Sequence, residues 1–188
     1  FLETSKTESN EIWYLDLDSP DFSMKCFLKR QNKHLYYIDD TPDKFFILSN
    51  KNAQKNFALY EASITKKSKF DWKLLVAHKN SELIEDFLCF KDFIILETRK
   101  KGLPYLLQID RKTNKKFYIK FEEEAYTLSL VNNNNFDARS FSFAYSSLKY
   151  PSIIYSQNLY TNKKRKIWSQ KVLNHKPNKY ETKRLFIH

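Results

Sequence analysis

The sequence predicts an all-β protein built from consecutive four-stranded antiparallel blades, which together form part of a β-propeller. The first observation is the composition: 16% of the 188 residues are aromatic, with 16 Phe and 12 Tyr, and such residues favour strands. The second is a spacing of 48 residues between equivalent apolar segments. The third is that each period holds four apolar runs, which is the content of one propeller blade.

Two columns of apolar residues define the period. They lie inside strand-like runs at intervals of 48: Phe45, Phe93 and Phe141 in the first column, and Leu59, Leu107 and Tyr155 in the second. A third column holds Thr65, Thr113 and Thr161, and two of these begin the identical word Thr-Asn-Lys-Lys at 113–116 and 161–164. Because Asn tolerates positive φ and Lys keeps a turn solvated, this word predicts a hairpin turn in a chain that holds one glycine.

The strand-like runs divide the chain into segments. We expect the end of one blade at 1–30, whole blades at 31–79, 80–124 and 125–175, and a connection out of the propeller at 176–188. Phe1-Leu2, Ile12–Leu17 and Lys25–Leu28 would supply the incomplete first blade, and Arg184–Ile187 would begin one further strand. This makes about three and a half blades, as in part of a seven-bladed ring. A closed four-bladed propeller is the alternative, although both chain ends fall in the wrong part of a blade for it.

The charge is strongly basic, with 33 Lys and Arg against 22 Asp and Glu and a formal net charge of +11. Lys66-Lys67, Lys115-Lys116 and Lys163-Lys164 hold the same position in successive blades, which predicts a basic rim. Such a rim would attract an anionic partner, or it keeps the turns soluble. The excess of Lys over Arg, 27 to 6, favours solubility and composition drift over a selected nucleic-acid surface.

Several catalytic chemistries are excluded from this segment. Gly102 is the only glycine, so no phosphate-binding loop, dinucleotide fingerprint or Gly-x-Ser-x-Gly elbow is present. Three sets of residues are candidates for a functional role. We predict that the four histidines, His34, His78, His175 and His188, lie at the surface. The Ser146-Ser147 pair is predicted to close a strand with its hydroxyls, and Glu122-Glu123-Glu124 to form a solvated turn. We therefore assign no catalytic, cofactor-binding or metal-binding residue and expect no cofactor.

The two cysteines bear on the compartment. Cys26 and Cys89 lie apart within apolar stretches, which predicts buried, reduced thiols and a cytoplasmic protein. No apolar run approaches the 18 residues of a membrane span, so no membrane partner is expected. Phe1 is not a methionine, and we expect the segment to come from a longer chain.

Four short sequence motifs, in their order along the chain, resemble motifs of the oligopeptidase B (protease II) branch of the prolyl oligopeptidase family. Together they span most of the chain: Glu11–Asp16 with Asp18-Ser19-Pro20, Ser49-Asn50 with Lys55–Tyr60, Gly102-Leu103 with Gln108–Thr113, and Tyr145–Leu148 with Pro151. The chain departs from the family mainly by lost glycines. At Asn162 the final hairpin of the family commonly has Gly, which leaves that turn's conformation to be tested.

The resemblance implies a seven-bladed propeller above an α/β-hydrolase domain with a Ser, Asp, His triad that cleaves peptides after Lys or Arg. It implies that these residues form the later half of the propeller, that 176–188 begins the link to the hydrolase domain, and that no triad residue lies here. The implied role is to limit access to the active site by size, with short basic peptides as substrates of the parent serine peptidase. The segment alone should be inactive and could self-associate through open blade edges.

The alternative is a stand-alone, propeller-like scaffold that binds a protein or a nucleic acid through its basic rim. Phosphate binding would weaken steeply with salt. Nucleic acid is the less favoured partner, because the aromatic residues alternate in strand registers that point them into blade packing.

Overall fold

The computed structural model describes residues 1–17, 19–42, 44–64, 71–131, 133 and 135–187, and these form an all-β fold. The first sheet has three strands, β1 (Leu2–Lys6), β2 (Ser9–Leu15) and β3 (Met24–Leu28). The second has four, β4 (Tyr36–Asp40), β5 (Lys44–Ser49), β6 (Ala58–Ser63) and β7 (Lys73–Val76). The third has β8 (Leu83–Cys89), β9 (Phe93–Lys100), β10 (Leu103–Asp110) and β11 (Lys116–Tyr118). The fourth has β12 (Thr127–Leu130), β13 (Ser140–Ser146), β14 (Ile153–Asn158) and β15 (Lys164–Ser169).

Within each sheet the strands are antiparallel neighbours in chain order. This up-and-down order is that of a propeller blade, so the predicted content of four strands per period is confirmed in the three later sheets. Two short 3-10 helices, Lys51–Ala53 and Pro177–Lys179, lie outside the sheets. None of the helices that the structure describes has the length and apolar character needed to traverse a bilayer.

The 48-residue repeat is a repeat of buried positions. Phe45, Phe93 and Phe141 each lie in the second strand of their sheet and are 4%, 8% and 1% exposed. The second column lies in the third strand of each sheet: Leu59 in β6, Leu107 in β10 and Tyr155 in β14. The period therefore marks equivalent positions in the second, third and fourth sheets, as the sequence predicts.

The chain divides into two compact units, Phe1–Leu83 and Ile84–His188. In the first unit, the core joins the first two sheets through apolar residues that include Ile12, Phe27, Tyr36 and Phe45. Phe27 and Phe45 meet edge to face, with ring centroids 5.1 Å apart. Aromatic residues thus fill the space between these two sheets.

In the second unit, the core joins the third and fourth sheets. Alternate residues of β13, Phe141, Phe143 and Tyr145, are buried, which is the period-two pattern of a strand with one face in the core. They pack on residues of the third sheet such as Ile95 and Leu106.

The two Thr-Asn-Lys-Lys words form equivalent hairpin turns, β10 to β11 and β14 to β15. Asn114 and Asn162 both have φ of 57°, in the left-handed region that Asn adopts more readily than most residues. The loss of glycine at Asn162 therefore leaves the turn intact. The related Thr65-Lys66-Lys67 lies outside the described residues.

The predicted strand at Arg184–Ile187 is wrong, because these residues form no strand. A strand needs a neighbouring edge to pair with, and this segment instead uses single contacts. The Arg184 N–H donates to Glu124 Oε2 at 2.9 Å, and the Arg184 guanidinium donates to the Lys101 carbonyl.

Candidate functional site

The histidines do not gather into a site. His34 was predicted at the surface, but it is only 6% exposed, and its Nε2 lies 2.8 Å from the Ser49 hydroxyl. The prediction failed because the ring is covered by residues that are distant in sequence, Ser49 and Trp72. Burial, aided by the Lys51 charge, lowers the pKa of His34 below 6.5, so the ring is held neutral.

The other histidines lie elsewhere. His78 and His175 are half-buried, and His175 Nε2 lies 2.9 Å from the Lys149 carbonyl and stacks on Tyr180 with centroids 5.4 Å apart. His188 lies outside the described residues. No arrangement of nucleophile, base and carboxylate follows from these positions in the part of the chain that the structure describes.

The serine pair serves local structure. Ser147 Oγ accepts hydrogen bonds from the N–H groups of Lys149 at 3.1 Å and Tyr150 at 3.0 Å, as expected of a hydroxyl that closes a strand. Ser146 Oγ lies 2.7 Å from Thr127 Oγ1 across the β12–β13 pair.

The acidic turn is less solvated than predicted. The Glu123 side chain is only 8% exposed and pairs with Lys149 at 3.4 Å, and Glu124 accepts the Arg184 N–H. The turn packs because the link from β11 to β12 passes against the fourth sheet. Among residues 1–187, apart from the positions left undescribed, no group of three or more His, Cys, Asp and Glu is placed to hold a metal ion.

Cys89 is buried, as predicted, but Cys26 is only half-buried, and neither forms a disulfide with a described residue. Burial, together with the Glu11 charge, raises the pKa of the Cys26 thiol. A protonated thiol is a poor nucleophile, so Cys26 is not an activated cysteine.

Acidic residues lie on the first strands of two sheets. In the second sheet, β4 ends with Asp39 and Asp40; in the third, β8 carries Glu85 and Asp86. The described first strands β4, β8 and β12 contain no Lys or Arg, although the chain has a net charge of +11. Two of these first strands, β4 and β8, thus carry acidic residues and no basic ones.

A carboxylate on β9 joins the third and fourth sheets. Glu97 is 8% exposed, and its Oε2 accepts the N–H of Leu130 on β12 at 2.9 Å. Burial raises the pKa of Glu97, and the charges of Glu85 and Asp86 raise it further. Partial desolvation by neighbouring atoms also raises the pKa of Asp86, although its side chain remains accessible.

A pocket of about 650 Å³ opens beside β14 and β15 in the second unit. Its walls include the aromatic side chains of Phe121, Tyr145 and Tyr155, and the cationic side chain of Lys164 points into it from the Thr-Asn-Lys-Lys turn. The sequence analysis missed this pocket. The available signal was that Tyr155 and Lys164 lie on adjacent strands at a hairpin, close enough for one to cover the other.

Comparison with known proteins decides the family. Residues 1–170 match the family described as "Prolyl oligopeptidase, N-terminal beta-propeller domain". The chain belongs to the prolyl oligopeptidase family. As a member of this family, whose propeller belongs to serine peptidases, it has the fold of a partial β-propeller.

The relatives are peptidases. The chain is 28% identical over 185 residues to "Dipeptidyl aminopeptidase BI" of Pseudoxanthomonas mexicana, covering 98% of this chain and 25% of that protein. It is 26% identical over 165 residues to "Protease 2" of Moraxella lacunata, covering 87% of this chain and 23% of the relative. The chain therefore spans about a quarter of the length of the curated relatives it matches.

Among solved structures, oligopeptidase B from Leishmania major matches with a TM-score of 0.84 at 17% identity, covering 94% of this chain and 26% of that one. Oligopeptidase B from Trypanosoma brucei matches with a TM-score of 0.78 at 21% identity, covering 87% and 24%. At these identities the likeness shows the fold.

Proposed function

We propose that this chain forms the non-catalytic later half of the propeller of a serine oligopeptidase that hydrolyses short peptides after Lys or Arg, and that the propeller limits access by size. The proposal rests on the family match over residues 1–170, which form consecutive antiparallel sheets. The implied partner is an α/β-hydrolase domain of the same chain, and the implied compartment is the cytoplasm.

The acidic first strands support a basic substrate. In a propeller the first strand of each blade lies nearest the central channel, so carboxylates there would create a negative potential along the substrate path. A peptide that carries Lys or Arg would be attracted by Asp39, Asp40 and Asp86. This local attraction would oppose the repulsion from the net positive charge of the whole chain.

The substrate test uses the intact protein and three substrates: a short peptide with a central Arg, the same peptide with Glu in its place, and the Arg sequence placed in a loop of a folded protein. We expect rapid cleavage of the first alone. Cleavage of the folded substrate at the same rate would contradict size gating, and cleavage of the Glu peptide would contradict the specificity. Residues 1–188 expressed alone should leave all three substrates uncut.

A second experiment tests whether the carboxylates on the first strands attract a basic substrate. Asp86→Asn should raise KM for the Arg peptide about two- to threefold at low salt, with kcat unchanged, and the effect should vanish near 0.5 M salt because screening removes the attraction. Asp137→Asn, which removes an exposed carboxylate from a turn, is the matched control and should leave KM unchanged. An equal effect of both variants would refute a role for the first strands.

The alternative of a scaffold that binds through a basic rim gains no support from the described residues. Lys115, Lys116, Lys163 and Lys164 are all exposed, and the Lys164 ammonium also lies over two aromatic rings. Retention on nucleic acid that weakens steeply with salt would favour this alternative over the peptidase.

A further inference from the structure

The pocket beside β14 and β15 has the volume of a small-molecule site. Its volume of about 650 Å³ falls inside the range of roughly 300 to 1,000 Å³ that such sites occupy. Its lining includes four aromatic side chains, three lysines and two glutamates, of which Glu123 pairs with Lys149: Phe121, Tyr145, Tyr150 and Tyr155, Lys120, Lys164 and Lys166, and Glu122 and Glu123. This combination favours a ligand with an apolar body and a negative charge.

The aromatic wall is already in place. Phe121 and Tyr145 stack with centroids 5.2 Å apart and an interplanar angle of 10°, and Tyr155 meets Tyr145 edge to face at 6.2 Å. Burial raises the pKa of Tyr145 to about 12, so this wall stays neutral over the ordinary pH range. A flat ligand would find fixed rings, which reduces the cost of ordering the site.

The lysines reach the pocket because of strand register. Lys166 pairs with Tyr155, and Lys164 pairs with Gln157, two residues further along β14. Side chains two residues apart point to the same face of a strand, so both lysines share the face of Tyr155.

The Lys164 ammonium forms no ion pair with any residue that the structure describes. Its Nζ lies 5.0 Å from the Phe121 centroid and 4.9 Å from the Tyr155 centroid. Within the described residues no carboxylate lies within 4.0 Å of it, because Glu123, the buried acid of the pocket, pairs with Lys149. Desolvation lowers the pKa of Lys164, and the charge of Glu122 offsets this only in part. A bound anion would relieve this cost.

We propose that this pocket binds a carboxylate carried beside an aromatic ring, with Lys164 and Lys166 holding the carboxylate and Phe121, Tyr145 and Tyr155 contacting the ring. Two sources supply this chemistry: a free aromatic acid, and a short peptide that ends in Phe or Tyr with a free C-terminus.

Calorimetric titration of the intact protein tests the proposal with three probes. These are 3-phenylpropionate, the tetrapeptide Ala-Ala-Ala-Phe, and the same tetrapeptide with a C-terminal amide. At least one carboxylate should bind, and the amide should bind at least about tenfold more weakly because it lacks the anion. Binding of only one carboxylate supports the proposal and identifies the source.

The site is located with a matched pair of variants. Lys164→Met keeps the length of the side chain and removes its charge, and should weaken binding by about tenfold or more. Lys116→Met makes the same change at the exposed position 48 residues earlier and should leave binding unchanged. Equal binding by both variants, equal binding of acid and amide, or no binding up to about 10 mM, which corresponds to a free energy of only about 3 kcal/mol, would overturn the proposal.

A second measurement follows Lys164 directly, with its signal assigned by its absence from the Lys164→Met spectrum. Reductive methylation with labelled formaldehyde places a 13C signal on each lysine while keeping its charge. The Lys164 signal should shift on ligand addition and the Lys116 signal should not. A ligand that binds without moving the Lys164 signal occupies another site, and the proposal then fails.

Discussion

Asn114 and Asn162 lie 48 residues apart and hold the same backbone conformation, with φ of 57° at each. The Asn114 N–H donates to the Asp110 carbonyl at 2.8 Å, and the Asn162 N–H donates to the Asn158 carbonyl at 3.0 Å. In both turns the Oδ1 of the residue at the turn's start accepts two further backbone N–H groups. One turn geometry is thus built twice without glycine.

Asn162→Ala should lower the free energy of unfolding by about 1 kcal/mol, because a Cβ without a local hydrogen-bonding side chain is strained at positive φ. Asn162→Gly should be close to neutral. Urea unfolding followed by tryptophan fluorescence measures both. Asn178→Ala, at an exposed site with no positive φ, is the control. If the Ala and Gly variants at 162 are equally stable, the strain argument fails.

Tyr36→Phe should lower the free energy of unfolding by about 1 to 3 kcal/mol, since it leaves two buried backbone groups without their partner. The Tyr36 hydroxyl accepts the Ile12 N–H at 2.8 Å and donates to the Leu28 carbonyl at 2.8 Å, which ties the second sheet to the first. Tyr37→Phe removes a hydroxyl from the adjacent residue, which is 41% exposed, and should cost far less. Equal losses in the two variants would contradict the role of the hydroxyl.

Glu97→Gln should stabilise the fold at pH 7. Burial raises the pKa of Glu97 in the folded protein above 4.5, so the ionised form costs stability at neutral pH. The Gln carbonyl still accepts the Leu130 N–H. The gain should shrink as pH falls through the folded pKa and should be absent below about 4.5, where both states are protonated. Thermal unfolding at several pH values measures it, with the exposed Glu8→Gln as control. A gain that does not change with pH would have another cause.

His34→Gln should reduce the amount by which the free energy of unfolding falls as the pH is lowered. The folded pKa of His34 lies below 6.5, so the unfolded chain takes up a proton first, and stability that is present above 6.5 is lost as pH falls through the folded pKa. Gln can still bond to Ser49 but does not titrate. Denaturant unfolding at pH 7.5 and at lower pH gives the slope. His78→Gln, which makes the same change at a half-buried ring that is not hydrogen-bonded to Ser49, is the matched control.

The repeat made the blades predictable, because Phe45, Phe93 and Phe141 face the core and burial constrains them. The turn at Asn162 was predictable for a similar reason, since few residues tolerate its φ. The burial of His34 and the pairing of Glu123 with Lys149 were not, because both depend on neighbours distant in sequence. The strand expected at Arg184–Ile187 failed because an apolar run does not reveal whether a free edge is available.

The hydrogen bonds that join the first two sheets connect residues that lie close together in the sequence. Asn10 donates to the Tyr36 carbonyl and accepts its N–H across 26 residues, and the Tyr36 hydroxyl reaches back 24 residues to Ile12. A chain emerging from a ribosome therefore needs no residue of the second compact unit, Ile84–His188, to complete this junction.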